Sequence, residues 1–304
     1  MNELLIKKDI NLKISKEEFL EDIDCLFEVL QTSYGLYEYF GHERFVEARN
    51  TAIHRLDEAP FEVNNAVSIL KYEFALFIKD GHFRIGPSET ETVSCDFAVR
   101  YLSYHGIPMI QCRKFYFDSP AEEKELEQFS SIYALFQNNE PLIIDVRGNP
   151  GGSDIYIWNF IKGLYGAEPD YSYRFVQKYS ELFREAAQVD KNGIEVVESD
   201  GIFVKSSKPV YIWINENTAS SAESVIAYFK TVEKAVIVGT HSAGCFSCGN
   251  CMTIYLPNSH LPIYFGTGMV LYEKTRNIDA EGGFKADISD EEFLRIISKH
   301  RGSG

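Results

Sequence analysis

Several things are missing from this sequence, and each absence removes a class of function. No apolar run approaches the ~18 residues that a membrane-spanning helix needs, and residues 1–12 interrupt their short apolar stretches with Lys7, Lys8 and Asp9. A secretory signal needs a continuous apolar stretch there, so a cytoplasmic setting without a membrane partner is expected. Cysteine is sparse, at six in 304 residues. That is too few for a disulfide framework and fits a reducing compartment. Positive charge is short as well: 30 Lys and Arg face 45 Asp and Glu, a formal net charge of −15, with no basic cluster to offset it. A polyanion would be repelled, which sets nucleic acid aside as a partner. Internal repeats, low-complexity linkers and a phosphate loop ending in Gly-Lys-Ser/Thr are also absent.

What remains is the composition of an ordinary globular protein, 45% hydrophobic and 25% charged, long enough to bury a core without metal or disulfide. Residues 15–80 read as helical. Ser15 with Glu18 forms a capping box, and Phe19, Ile23, Leu26, Phe27 and Leu30 follow at helical spacing. Further helices are expected near 42–56 and 63–78. Past residue 92 the period changes. Residues 97–104 and 108–117 read as paired strands around His105-Gly106-Ile107, and 121–136 reads as a helix. The run 141–146 is continuously apolar, as in a buried parallel strand. A strand–loop–helix–strand pattern then recurs over 209–214, 220–230 and 235–239, and Ser289 with Glu292 caps a last helix to about 299. The expectation is an α/β protein: a helical module over 1–88 and an α/β core over 89–304.

Three segments carry candidate chemistry. In Asn215-Glu-Asn-Thr-Ala-Ser-Ser-Ala-Glu223 a buried strand gives way to a helix. Ser220 then sits at the helix N-terminus, where the dipole favours developing negative charge and the Ser221 N–H could serve as an oxyanion donor. Taken alone, the segment fits better a plain N-cap, with Glu223 closing a capping box. The loop Arg147-Gly-Asn-Pro-Gly-Gly152 follows the apolar strand; paired glycines permit close backbone approach to a ligand, or make only a sharp turn. Lys79-Asp-Gly-His-Phe83 supplies His82, which alone reads more readily as structural or solvated than as catalytic. Cys245, Cys248 and Cys251 are spaced two apart and could ligate a soft metal with a fourth ligand such as His241. No fourth cysteine matches that spacing, so reduced thiols in a loop leading to a strand, and no metal or other cofactor, are expected.

The segments "LFIKDGHFRIG", "LIIDVRGNPGG" and "INENTASSAES", in this order, resemble the tail-specific (C-terminal processing) serine protease family, closest to the branch of the tricorn core and the interphotoreceptor retinoid-binding protein repeats. A degenerate "EGGFKADI" near Glu281 extends the resemblance. It implies a ClpP/crotonase-like core and serine peptidase activity on peptides or unfolded proteins. It also implies Ser220 as nucleophile, and oxyanion donors from Ser221 and from Gly151 or Gly152. One branch of the family uses a lysine base in Gly-x-x-Thr-x-Gly-Lys; here Gly239-Thr-His-Ser-Ala-Gly-Cys245 puts cysteine in that place. The base implied is therefore His82, oriented by a late acid, Glu281 with Asp279 in reserve. The span between His82 and Asp145 leaves no room for the family's PDZ domain. Two alternatives stand beside the peptidase: a non-catalytic ligand- or peptide-binding protein on the same scaffold, and a hydratase-like enzyme of similar topology, which would need a CoA site and no nucleophile. Oligomeric state and cleavage preference have no signature in the sequence.

Overall fold

The computed structural model describes residues 2–58, 60–87, 95–136, 140–168 and 170–300. The chain forms two compact units, each assembled from separated stretches. One comprises Met1–Glu91, Arg174–Val197 and Cys248–Val270; the other comprises Thr92–Tyr173, Glu198–Ser247 and Leu271–Gly304. The helical segment is thus joined in its unit by two later stretches of chain. The module boundary expected at residues 88–89 lies outside the described residues.

The first unit is built on helices Lys16–Ser33, His42–Asp57 and Val63–Ala75. The Ser15–Glu18 capping box is formed. Apolar faces meet in a core rich in aromatic rings, where Tyr34, Tyr37, Phe45, Phe74 and Phe265 are buried. Tyr37 stacks on Phe45 at 4.3 Å, and Tyr34 meets Phe265 edge-on at 6.2 Å. The antiparallel strands Cys248–Tyr255 and Pro262–Tyr272 supply the other side. Buried Asp22 ties their connecting turn to the first helix by accepting the N–H groups of Asn258 and Ser259, each at 2.8 Å.

The second unit contains a five-stranded sheet in the order Val99–Tyr104, Ile107–Cys112, Leu142–Asp145, Val210–Ile214, Ala235–Gly239. The first pair is antiparallel and the others are parallel. His105 and Gly106 both take positive φ, 51° and 84°, the conformation a two-residue hairpin turn requires. Alternation sorts the side chains. Met109, Ile143, Tyr211, Trp213 and Val238 face the helix Asp290–His300 through Phe293 and Ile297, while Ile110, Ile144, Ile212 and Ile237 take the opposite face. The crossover helices are Pro120–Ser131, Ile155–Tyr165 and Ser221–Phe229. Among the described residues between His82 and Asp145 there are a two-residue strand, the hairpin, one helix and a short 3-10 turn, too little for a PDZ domain. No described helix is long and apolar enough to cross a membrane.

Asp145 closes its strand with its side chain fully buried. Its oxygens accept from Arg147 Nε at 2.9 Å, Arg113 Nη2 at 2.9 Å and Gln111 Nε2 at 3.1 Å. The Arg147 guanidinium also lies 3.6 Å over the Trp213 ring. Burial alone would raise the Asp145 pKa, but the two arginines hold it down at about 2. A carboxyl whose folded pKa lies below its unfolded value of about 3.9 stabilises the fold above that value and loses the contribution as pH falls towards 2. Asp145→Asn should therefore cost about 2–3 kcal/mol in urea unfolding at pH 7. The gap between variant and parent should narrow from pH 4 to pH 2; a constant gap would contradict the assignment.

Candidate active site

The parallel strands Leu142–Asp145 and Val210–Ile214 lie side by side, with Asp145 opposite Trp213. The loops leaving their carboxyl ends, where α/β proteins place ligands, are therefore neighbours. They are also bonded together. Ala219 N–H donates to the Asn149 carbonyl at 2.9 Å, Thr218 Oγ1 to the Val146 carbonyl at 3.0 Å, and Gly148 N–H to Asn215 Oδ1 at 2.9 Å. Ser221 Oγ donates to the Gly152 carbonyl at 2.7 Å. Asn149 is fully buried; its Nδ2 donates to the Cys112 carbonyl at 3.2 Å, and its Oδ1 accepts the Gly151 N–H at 2.8 Å.

The two glycines are dictated by this packing. Gly151 and Gly152 have φ of 100° and 134°, which side-chain-bearing residues rarely adopt. A Cβ on Gly151 would sit 2.6 Å from the Ser220 Cβ and 2.9 Å from the Ser221 nitrogen. A Cβ on Gly152 would collide with the Phe115 backbone. Four of the site residues expected from sequence, Ser220, Ser221, Gly151 and Gly152, thus meet in one place. The Gly151 N–H is bonded within its own loop, to Asn149 Oδ1.

Ser220 precedes the helix Ser221–Phe229 with φ 56° and ψ −127°, a conformation that costs a non-glycine residue about 1–3 kcal/mol and concentrates at functional sites. Its surroundings hold it there. Its N–H donates to Glu223 Oε2 at 3.1 Å, while the Glu223 N–H goes to the Ser220 carbonyl at 2.7 Å. The sequence suggested a capping role for Glu223. The structure adds a wider one that spacing alone does not reveal, because the fully buried carboxylate also gathers the following loop. It accepts from Ser242 Oγ at 2.5 Å, Gly244 N–H at 3.1 Å and Cys245 N–H at 2.7 Å. Burial pushes its pKa up, and these hydrogen bonds oppose the rise.

His82 belongs to the other unit. It follows the turn Asp80-Gly81, closed by Phe83 N–H donating to the Asp80 carbonyl at 3.1 Å, and is largely buried. Asp80 Oδ1 accepts the His82 N–H at 2.8 Å and lies 3.6 Å from His82 Nδ1. Asp80 Oδ2 accepts the Tyr34 hydroxyl at 2.8 Å. The two acids expected from sequence lie in the second unit and have other engagements. Glu281 binds Arg276 through both oxygens, at 3.0 and 2.6 Å, in a surface depression also lined by Lys230, Lys285 and Asp287. Asp279 Oδ1 accepts the N–H groups of Phe246 and Ser247.

The cysteine run does not stay in one loop. Cys245 precedes the strand Cys248–Tyr255, which contains the other two; three positions apart on a strand, they point to opposite faces. Burial pushes the Cys251 thiol up to about 11, against a hydrogen bond with Tyr264, which disfavours the thiolate that a metal requires. Among the described residues, no three His, Cys, Asp or Glu side chains are grouped as a metal site would need.

The nisin-resistance protein of Lactococcus lactis subsp. lactis is 28% identical over 160 residues, covering 51% of this chain and 48% of that protein; the chain spans about half the length of this curated relative. A lipoprotein of Streptococcus agalactiae superimposes with a TM-score of 0.55 at 18% identity, covering 97% of this chain and 99% of that one. Mature CPAF superimposes with a TM-score of 0.60 at 14% identity, covering 94% and 95%. At such identities these structures speak for the fold. The profile of peptidase family S41 matches residues 107–289, a stretch that contains both loops of the candidate site, and the chain belongs to this family.

Proposed function

We propose that this S41 peptidase is an active serine endopeptidase, with Ser220 as nucleophile and His82 as general base. The observation that carries the proposal is the strained Ser220 backbone at a helix N-terminus, pressed against a loop in which only glycine fits. A binding protein on the same scaffold has no use for that strain. Ser220 Oγ attacks the peptide carbonyl while its proton passes to His82 Nε2. The Ser221 and Gly152 N–H groups receive the oxyanion, each worth roughly 2.7–4 kcal/mol in comparable enzymes. His82 returns the proton to the leaving amine, and water releases the acyl group by the same route. Glu281, the acid suggested by the family resemblance, could orient His82 only after leaving Arg276.

The substrate would be a peptide or an unfolded protein. The relative named for nisin resistance makes nisin a trial peptide alongside casein. The deciding experiment is labelling of the purified chain with a fluorophosphonate, followed by peptide mapping. Modification should fall on Ser220 and disappear in Ser220→Ala, whose thermal stability should stay within about 1 kcal/mol of the parent. Labelling of Ser221 instead, or none while the protein is folded, would return the chain to the binding-protein reading.

His82→Ala should abolish turnover about as fully as Ser220→Ala, because members of one catalytic unit fail together. Full activity in this variant would remove His82 from the mechanism. Gly152→Ala should be worse tolerated than either, since the added carbon meets main chain on the Phe115 side. A loss of at least about 2 kcal/mol in urea unfolding is expected, alongside the loss of activity.

A further inference from the structure

The Asp80 carboxylate has a chemistry that the reading above does not use. It is fully buried, and a buried carboxylate persists only where its lone pairs are matched by donors or charge. Here the matching is specific. Oδ2 takes the Tyr34 hydroxyl at 2.8 Å, and Oδ1 takes the His82 N–H at 2.8 Å while facing His82 Nδ1 at 3.6 Å. Tyr34 is itself fully buried among Phe40, Phe45, Phe83 and Phe265. A buried tyrosine hydroxyl needs a partner, so the aromatic core points this one at Asp80. Phe83 anchors the other end of the turn, with its ring 5.6 Å from Tyr34 and 5.7 Å from Phe74. The carboxylate and the imidazole therefore stand on a three-residue turn pinned to the core on both sides.

Resting on the assignment of His82 as base, we infer that Asp80 is the positioning residue of that base. It would hold His82 with Nδ1–H towards the carboxylate and leave Nε2 as the proton acceptor. When Ser220 attacks, the proton moves from Oγ to Nε2. The Nδ1 proton stays on the ring, and the Asp80 charge stabilises the imidazolium without accepting a proton. A small rotation of the ring closes 3.6 Å to hydrogen-bond length, and such contacts commonly tighten once substrate is bound. Tyr34 fixes the far oxygen, so the carboxylate cannot swing away.

The test is fluorophosphonate labelling kinetics of the full chain, resolving the maximal rate kinact from the half-saturating probe concentration KI, with thermal unfolding as a check on folding. An Asp→Asn change in a Ser–His–Asp triad costs about 10⁴ in rate through the wrong tautomer. Asp80→Asn should accordingly lower kinact about 10²–10⁴-fold, with KI within about 3-fold of the parent. Tyr34→Phe, which removes one oxygen and keeps the ring, should lower kinact about 10-fold. A merely structural Asp80 would change the melting temperature and not kinact in the folded fraction. If Asp80→Asn fails to fold, Tyr34→Phe decides: a lowered kinact at unchanged KI supports the inference, and an unchanged kinact overturns it. The inference also falls if folded Asp80→Asn keeps its kinact. His82→Ala separates the two levels. Full labelling in that variant sinks the assignment of the base itself, whereas an inert His82→Ala beside a fast Asp80→Asn sinks only the role of Asp80.

Discussion

The hydrogen bond from Ala219 N–H to the Asn149 carbonyl is the constraint on which the surroundings of Ser220 depend. It joins two loops that leave adjacent parallel strands, and it forms because the register sets Asp145 beside Trp213. Once the loops are joined, Gly151 has no room for a side chain, Ser220 is forced into a left-handed backbone conformation, and Ser221 Oγ reaches the Gly152 carbonyl. Asn149 repeats the join from beneath, bonding both the preceding hairpin and its own loop.

Glu223 extends the same constraint outward. Four donors converge on a fully buried carboxylate, three of them backbone N–H groups from two different loops. Such a group disfavours local opening, because releasing any one donor exposes a charge in a site prepared to hold it. The segment containing Cys245, where a related branch holds a lysine, is therefore fixed by its main chain whatever its side chain does.

How much was legible in the sequence varied with how local the cause was. The parallel strands showed as continuous apolar runs, and the first helix as a capping box with helical spacing, because those signals lie within a few residues. The long strands Asp170–Tyr179, Gly193–Ile202 and Pro262–Tyr272 had no such signature. Asp170–Tyr179 and Pro262–Tyr272 also pair with each other across a long stretch of sequence, and most positions of Gly193–Ile202 are exposed and carry no alternation. Ser220, Ser221 and the glycine pair stood out only through the family resemblance of their segments, because a helix cap and a sharp turn use the same residue types locally. The link between Asp80 and His82 was overlooked although the two stand two positions apart. Its significance depends on Tyr34, 46 residues upstream, and no local pattern announces that partnership.

The strand register has a consequence for how the protein can vary. The glycine loop and the serine loop meet through strands that touch, yet a long stretch of chain separates them: a helix, two long strands, and a second short helix between these strands. Length and composition can drift anywhere in that excursion without moving the meeting point, provided the chain returns to the same register. The site is thus insulated from most of the sequence that connects its parts.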